Sequence, residues 1–232
     1  MTTQRRFSWH EVGAVVFDVD GTLYRQAMLR AIMIRNLAAN YAFRPSRWNE
    51  LRILSAFRAQ RELHAGQTLL QLATNQYRWT SDATGLSVEL VRAVVRRWIL
   101  QEPLRYLRRC TSPGVSALIA TLAAKGIKTA VLSDYPAEEK LTALGLSFDY
   151  VASATDSVID SLKPHPHGLE VIANRIKVPV AACLMLGDRR DRDGECAIRA
   201  GAMYLLLGTT GRDRSSHFSN FHALQSEVNH SL

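Results

Sequence analysis

The sequence predicts an α/β protein: a doubly wound parallel sheet carrying an inserted all-helical segment. Three observations lead there. From residue 127 onward, short apolar runs alternate with helical stretches, the pattern of a parallel sheet covered by helices on both faces. Between the first apolar run and residue 109, the spacing is helical throughout and no strand pattern interrupts it. Charge divides the chain at the same places. Residues 25–109 hold 15 Arg, no Lys and 5 acids, whereas the rest holds 14 basic and 16 acidic residues. Such asymmetry suggests two parts with different duties. The division predicted is a core of residues 1–24 and 108–232, and a helical insert of residues 25–107.

The first element is the run Val15-Val16-Phe17, ending at Asp18-Val19-Asp20-Gly21. A buried strand that stops at two carboxylates and a glycine places acids at the carboxyl end of a sheet, where open α/β folds bind ligands. In the insert, helices are predicted over Ala27–Tyr41, Arg47–Leu63 and Thr68–Tyr77, with breaks at Pro45-Ser46 and Gly66. Ser87 offers a cap for a last helix whose Val88, Val91, Val95, Trp98 and Ile99 share one face. Ser112-Pro113-Gly114 then predicts a capped helix that ends at Gly126. Strands follow at Ile127–Asp134, Phe148–Ala152, Ala181–Leu186 and Met203–Leu207, with helices at Ala137–Leu144, up to Ile176, and from Asp193 to Ala200. Residues 209–232 are polar and expected to fray, apart from Phe218, Phe221 and Leu224, which could dock on the core.

Composition excludes some classes. A chain of 232 residues with 47% apolar content and mean hydropathy −0.08 is an ordinary globular sequence. It has no apolar run of membrane-spanning length, and residues 1–11 lack the apolar stretch of a secretion signal. Three cysteines with no zinc spacing fit a reducing, cytoplasmic setting. The Arg-rich insert could attract a phosphorylated small molecule or nucleic acid. No basic motif interleaved with aromatics supports the second partner. Oligomeric state is not legible.

The strand ends supply one constellation: Asp18 and Asp20, then Ser133, then Asp188 with Asp193, with Lys163 in the loop between. Two carboxylates one residue apart call for a hard cation, magnesium above all. An isolated D-x-D-G is a weak pattern, and Ser133 or Lys163 alone would pass as ordinary turn or surface residues. Their order gives them weight. Asp18-Val19-Asp20-Gly21-Thr22-Leu23 resembles the first motif of the haloacid dehalogenase-like hydrolase superfamily. Ser133 after Ala130-Val131-Leu132 is similar to the second motif, and Lys163-Pro164-His165-Pro166 to the third. Gly187-Asp188-Arg189-Arg190-Asp191-Arg192-Asp193 is similar to the fourth, G-D-x-x-x-x-D. The insert resembles that family's C1 cap on a Rossmann-like core.

The resemblance implies a phosphomonoester hydrolase acting on a small phosphorylated metabolite. Asp18 would be the nucleophile that forms an aspartyl-phosphate, and Asp20 the general acid and base. Magnesium would be held by the Asp18 carboxylate, the Asp20 main-chain carbonyl and Asp188. Ser133 and Lys163 would bind phosphate oxygens, and Asp193 would orient Lys163. Arg61 and His64, in the turn before Gly66, are candidate substrate contacts. The presence of Asp20 argues against a dehalogenase, and an insert without lysine argues against a Schiff-base phosphonate hydrolase. A sugar phosphomutase and a non-catalytic phospho-ligand-binding protein on the same fold stay open. Two departures stand out: Asp134 after Ser133, where a neutral residue is common, and Arg189 after Asp188, where Ser or Thr is common.

Overall fold

A computed structural model describes residues 8–44, 47–208 and 216–232 of the chain. The predicted break at Pro45-Ser46 lies outside the described residues. Five parallel strands follow the sequence pattern: β1 Ala14–Phe17, β2 Lys128–Ser133, β3 Tyr150–Ser153, β4 Cys183–Gly187 and β5 Met203–Leu207. A sixth, β6 His217–Phe218, extends the sheet to the order β3-β2-β1-β4-β5-β6. Phe17 pairs with Val131 on one side and Leu186 on the other, which puts the ends of β1, β2 and β4 side by side. The chain winds outward from β1 through β2 and β3, then returns to β1's other flank as β4. The carboxyl end of β1 is therefore the topological switch point, where the loops diverge and leave a crevice.

Side-chain alternation gives each sheet face its own core. Val15, Phe17, Val131 and Leu186 point into one cluster with Leu118, Leu122, Phe221 and Leu224. Ala14, Val16, Ala130, Leu132 and Met185 point into the other, with Leu169, Ile172 and Ala197. The covering helices are α6 Val115–Ala124, α7 Glu138–Leu144, α8 His167–Ile176, α9 Glu195–Ala200 and α10 Phe221–Ser231.

Between β1 and α6 the described chain is helical. It comprises α1 Gln26–Tyr41, α2 Trp48–Leu63, α3 Leu72–Thr84, α4 Val88–Val95 with a π-helical continuation Arg96–Gln101, and α5 Leu104–Cys110. Tyr41, Ile53, Leu54, Phe57, Val91, Val94, Val95 and Trp98 form a separate hydrophobic cluster there. Leu29 of α1 and Leu107 of α5 belong instead to the core cluster. The two ends of the helical block are thus anchored on the sheet, while its middle has an interior of its own.

Several expectations need correction. Ser87 does cap α4, its hydroxyl accepting the Leu90 N–H at 3.3 Å, but Ser112 does not cap α6. Gly114, in the left-handed region at φ +84°, precedes the helix, and the Ser112 hydroxyl donates to the Thr22 carbonyl at 2.9 Å. Helix α3 starts at Leu72 rather than Thr68, because its cap comes from a distant segment: Asp160 accepts the Gln71 and Leu72 N–H groups at 2.5 and 2.6 Å. Of residues 209–232, expected to fray, 209–215 lie outside the described residues, and 216–232 form β6 and α10 instead. Asn220 caps α10 by accepting the Ala223 N–H at 2.9 Å, and Phe221, Leu224 and Val228 are buried.

Candidate active site

The site is built outward from β1. Asp18 continues the strand, its N–H donating to the Leu186 carbonyl at 2.8 Å, and it is 5% exposed. A carboxylate held there needs partners. The Lys163 ammonium donates to Asp18 Oδ1 at 2.5 Å, and the Thr22 hydroxyl donates to Oδ2 at 3.0 Å. Lys163, also buried, donates to Asp193 Oδ1 at 2.6 Å. Asp193 Oδ2 accepts the N–H groups of Asp188 and Arg189 at 3.2 and 3.0 Å, so it secures the loop after β4. Two glycines make this density possible. A Cβ on Gly21, which sits at φ +105°, would collide with the Asp188 carboxylate, and one on Gly187 would collide with Asp193.

The two departures from the family pattern have structural partners. The Asp134 carboxylate is engaged by the main chain, Oδ1 accepting the Lys163 N–H at 3.1 Å. Arg189 is shared between Glu62 of α2 at 2.8 Å and Asp191 at 2.6 Å. Glu62 also pairs with Arg192 at 2.5 Å, and Arg192 donates to the Lys163 carbonyl. Glu62 therefore ties the helical block to the loop that carries Asp188 and Asp193.

The charges respond to this crowding. Burial raises the Asp18 pKa; Lys163 opposes that, and Asp193, Asp188 and Asp20 add to it. Burial would lower the Lys163 pKa, yet Asp18, Asp193 and Asp134 together push it well up, so its ammonium is retained. Asp188 is raised to about 6, by burial first and by Asp193 second, with Lys163 and Arg189 opposing. Among the described residues it forms no side-chain ion pair.

Asp20 occupies different surroundings. Both its oxygens accept from the Lys140 ammonium, at 2.5 and 2.7 Å, and Oδ1 also accepts the Tyr24 hydroxyl. Burial would raise its pKa, but Lys140 and then Tyr24 outweigh that and lower it. Neither Lys140 nor Tyr24 was foreseen. A signal did exist for Lys140, which lies three residues after Ala137, the residue before α7, and four before Leu144, both buried. A lysine on an apolar stripe is a lysine with an interior partner.

Above these groups opens a cavity of about 240 Å³. Asp18, Asp20, Lys140, Lys163, Asp188 and Asp193 line its floor, and Leu29, Arg30, Met33, Arg58, Arg61 and Trp98 line it from the helical block. Two expected contacts differ. Ser133 is fully buried and does not line the cavity; its Oγ accepts the Tyr135 N–H at 3.2 Å, and Asp134 and Tyr135 form that part of the wall. His64 turns away, its ring stacked on Trp79 at 3.7 Å and its Nδ1 2.8 Å from the Gln60 carbonyl. Arg61 does reach the cavity, but it is committed. It donates to Gln76 and to the Asp134 carbonyl and lies over the Tyr135 ring at 4.3 Å.

The donor set suits a hard divalent cation. One carboxylate oxygen each from Asp18, Asp188 and Asp193 lie within 4.8 Å of one another. The Asp20 carboxylate is turned to Lys140 and is not in this group. The Asp193 oxygens are themselves occupied by Lys163 and two N–H groups. Asp18 and Asp188 are thus the carboxylates with acceptor capacity to spare; Asp188 is buried and has no side-chain cation partner among the described residues.

A doubly wound sheet that gathers acids and a lysine at its switch point defines an α/β protein with its ligand site at the strand ends. The sequence profile of the haloacid dehalogenase-like hydrolases matches residues 12–201, and the chain belongs to that family. Solved structures agree in fold. A 2-haloacid dehalogenase from Pseudomonas syringae pv. Tomato is 19% identical, with 94% of this chain and 99% of that one covered and a TM-score of 0.63. A HAD phosphatase from Thermococcus onnurineus is 20% identical, covering 93% and 97%, at 0.62. A β-phosphoglucomutase from Clostridium difficile is 16% identical, covering 94% and 98%, also at 0.62. Three activities on one architecture show that the fold does not decide the reaction. Comparison with curated proteins gives no match.

Proposed function

We propose that the chain is a magnesium-dependent phosphomonoester hydrolase acting on a small phosphorylated metabolite through an aspartyl-phosphate on Asp18. The observation that carries this reading is the division of labour between the two aspartates. Asp18 is held by a lysine that can also neutralise an incoming anion. Asp20, two residues on, faces the same cavity from an independent clamp. A nucleophile and a separately held acid/base are what a two-step phosphoryl transfer to water requires.

In this reading Asp18 Oδ2, beside the light donor Thr22, attacks phosphorus and displaces the alcohol oxygen. Lys163 keeps Asp18 aligned and takes charge from a phosphate oxygen. Ser133, buried behind the cavity wall, acts by holding Tyr135 in place, its oxygen accepting the Tyr135 N–H. Asp20, ionised in the free protein, takes up a proton as the substrate binds, hands it to the departing oxygen, then removes one from the water that hydrolyses the acyl phosphate. Lys140 and Tyr24 fix where that carboxylate stands. Magnesium, held by Asp18, Asp188 and the Asp20 main-chain carbonyl, would offset repulsion between nucleophile and phosphate. Residues 25–107 act as the cap that keeps bulk water from the cavity, and Arg61 shapes its wall through Asp134 and Tyr135. We place the enzyme in the cytoplasm on its three free, buried cysteines; among the described residues no helix is long and apolar enough to cross a membrane.

The test is hydrolysis of p-nitrophenyl phosphate by the purified chain. Turnover that needs magnesium and falls by about a thousandfold or more in Asp18→Asn supports the reading. Isomerisation of a sugar phosphate that needs a bisphosphate primer, with little net release of inorganic phosphate, would favour the mutase. A folded wild-type chain that binds phosphate without turnover would favour a non-catalytic role.

A further inference from the structure

Most charged side chains of the cavity have a partner of opposite charge or a hydrogen-bonded enclosure; Asp188 on the floor and two arginines on the helical side do not. On the floor, Asp18 and Asp193 share Lys163, and Asp20 has Lys140. At the rim, Glu62 takes Arg189 and Arg192. Arg61 is enclosed by Gln76, the Asp134 carbonyl and the Tyr135 ring. The floor's exception is Asp188, accounted for by the cation that the donor set suits. The exceptions on the helical side are Arg30 of α1 and Arg58 of α2. Both line the cavity, and neither has an acidic or hydrogen-bonding partner among the described residues. Arg58 stands close enough to Tyr135 for its charge to oppose the burial-driven rise of that phenol's pKa. Two uncompensated guanidiniums, projected from different helices into one partly enclosed space, leave that wall positive when all other pairs are made.

A ligand that gives only a phosphate to Lys163 leaves this charge unmet. We infer that Arg30 and Arg58 form a second anion subsite, and that the substrate is a short phosphomonoester bearing another acidic group, a carboxylate or a second phosphate, at its far end. The inference rests on the phosphatase reading for its first phosphate. Guanidinium forks match both anions, so the shared chemistry is a planar or tetrahedral oxyanion. Leu29 and Met33, next to Arg30 in the wall, leave room for a carbon frame between the two charged ends. A cavity of about 240 Å³ limits that frame to a few carbons or one sugar ring.

Matched substrates test it: phosphoglycerate against glycerol phosphate for the carboxylate, and fructose bisphosphate against fructose monophosphate for the phosphate. The expected result is a KM about tenfold lower for the diacidic member of at least one pair. Arg30→Ala and Arg58→Ala should each erase about that factor in KM while leaving kcat within about twofold and the monoacid unaffected; Arg58→Lys should recover part of it. Equal KM values within both pairs, or variants that shift all four substrates together, overturn the subsite. Calorimetry with Asp18→Asn separates the two readings, because it needs no turnover. Preferential binding of the diacids by a chain whose wild type hydrolyses nothing keeps the subsite and sinks the phosphatase. Hydrolysis without preference does the reverse.

Discussion

The two walls of the cavity differ in how far their groups are already committed to each other. On the sheet side, Asp18, Lys163, Asp193 and Asp20 are buried or nearly so, and each is held by at least two partners at hydrogen-bonding distance. On the helical side, Arg30 and Arg58 are exposed and unpaired, and the rest of the wall is largely apolar. A saturated wall is rigid and cannot be changed one residue at a time without stranding a charge. An unsaturated wall tolerates substitution and adapts to whatever ligand completes it. In the proposed function, chemistry belongs to the first wall and selectivity to the second.

The comparison is broken most severely at Lys163. Removing it in Lys163→Met strands Asp18 and Asp193 together. We expect loss of about 3–5 kcal/mol in stability by urea denaturation of the metal-free protein, besides loss of turnover. A stability unchanged within error would mean that the floor is not saturated as described. Next is Gly21→Ala. Its Cβ cannot enter without displacing the Asp188 carboxylate, and its backbone sits in a strained region for any L-residue. Magnesium affinity, read by calorimetry, should fall by about tenfold or more, with a stability cost of about 1–3 kcal/mol.

A third test sharpens the role of Lys140. Lys140→Met releases Asp20 on one side only, leaving Tyr24. The expected outcome is a kcat about ten to a hundredfold lower with KM little changed, and a larger loss for phenyl than for p-nitrophenyl phosphate. Equal losses for both would remove Asp20 from the leaving-group step.

pH offers a fourth. The Asp188 pKa is raised from 3.8 to about 6, so between those values the native metal-free chain holds a proton that the unfolded chain has released. This contribution to stability is therefore present at the acid end and is lost as pH rises through about 6; Asp18 shifts in the same direction. A cation replaces that proton. The gain in Tm on adding magnesium should be large above pH 7 and vanish below about pH 5. A gain independent of pH would exclude Asp188 as a ligand. The smallest effect is expected at Glu62→Gln. Its side chain is about half exposed, and its pairs with Arg189 and Arg192 bridge the two walls near solvent. Stability should drop by no more than about 1 kcal/mol, with a modest rise in KM.

Much of this was legible in the residues. The apolar runs located five strands to within a few positions, because strands buried on both faces must be continuously apolar. Asp18, Lys163, Asp188 and Asp193 could be read as one constellation because each stands at a strand end or in the loop beside it, where a parallel sheet collects residues distant in sequence. The helical content of residues 25–109 followed from spacing alone. What stayed hidden depended on three-dimensional neighbours. Strand β6 is two residues long and has no period to detect. The cap of α3 comes from Asp160, some ninety residues away. Lys140 meets Asp20 across 120 positions of sequence, a pairing that no local pattern encodes. Arg61 and His64 were adjacent candidates in one turn, yet one lines the cavity and the other stacks on Trp79. Local pattern determines which segments form strands and helices, since backbone sterics and the burial of one face act over a few residues. Which charge meets which partner was decided only by packing, since a buried ion pair is set by the distance between groups in space and owes nothing to their separation along the chain.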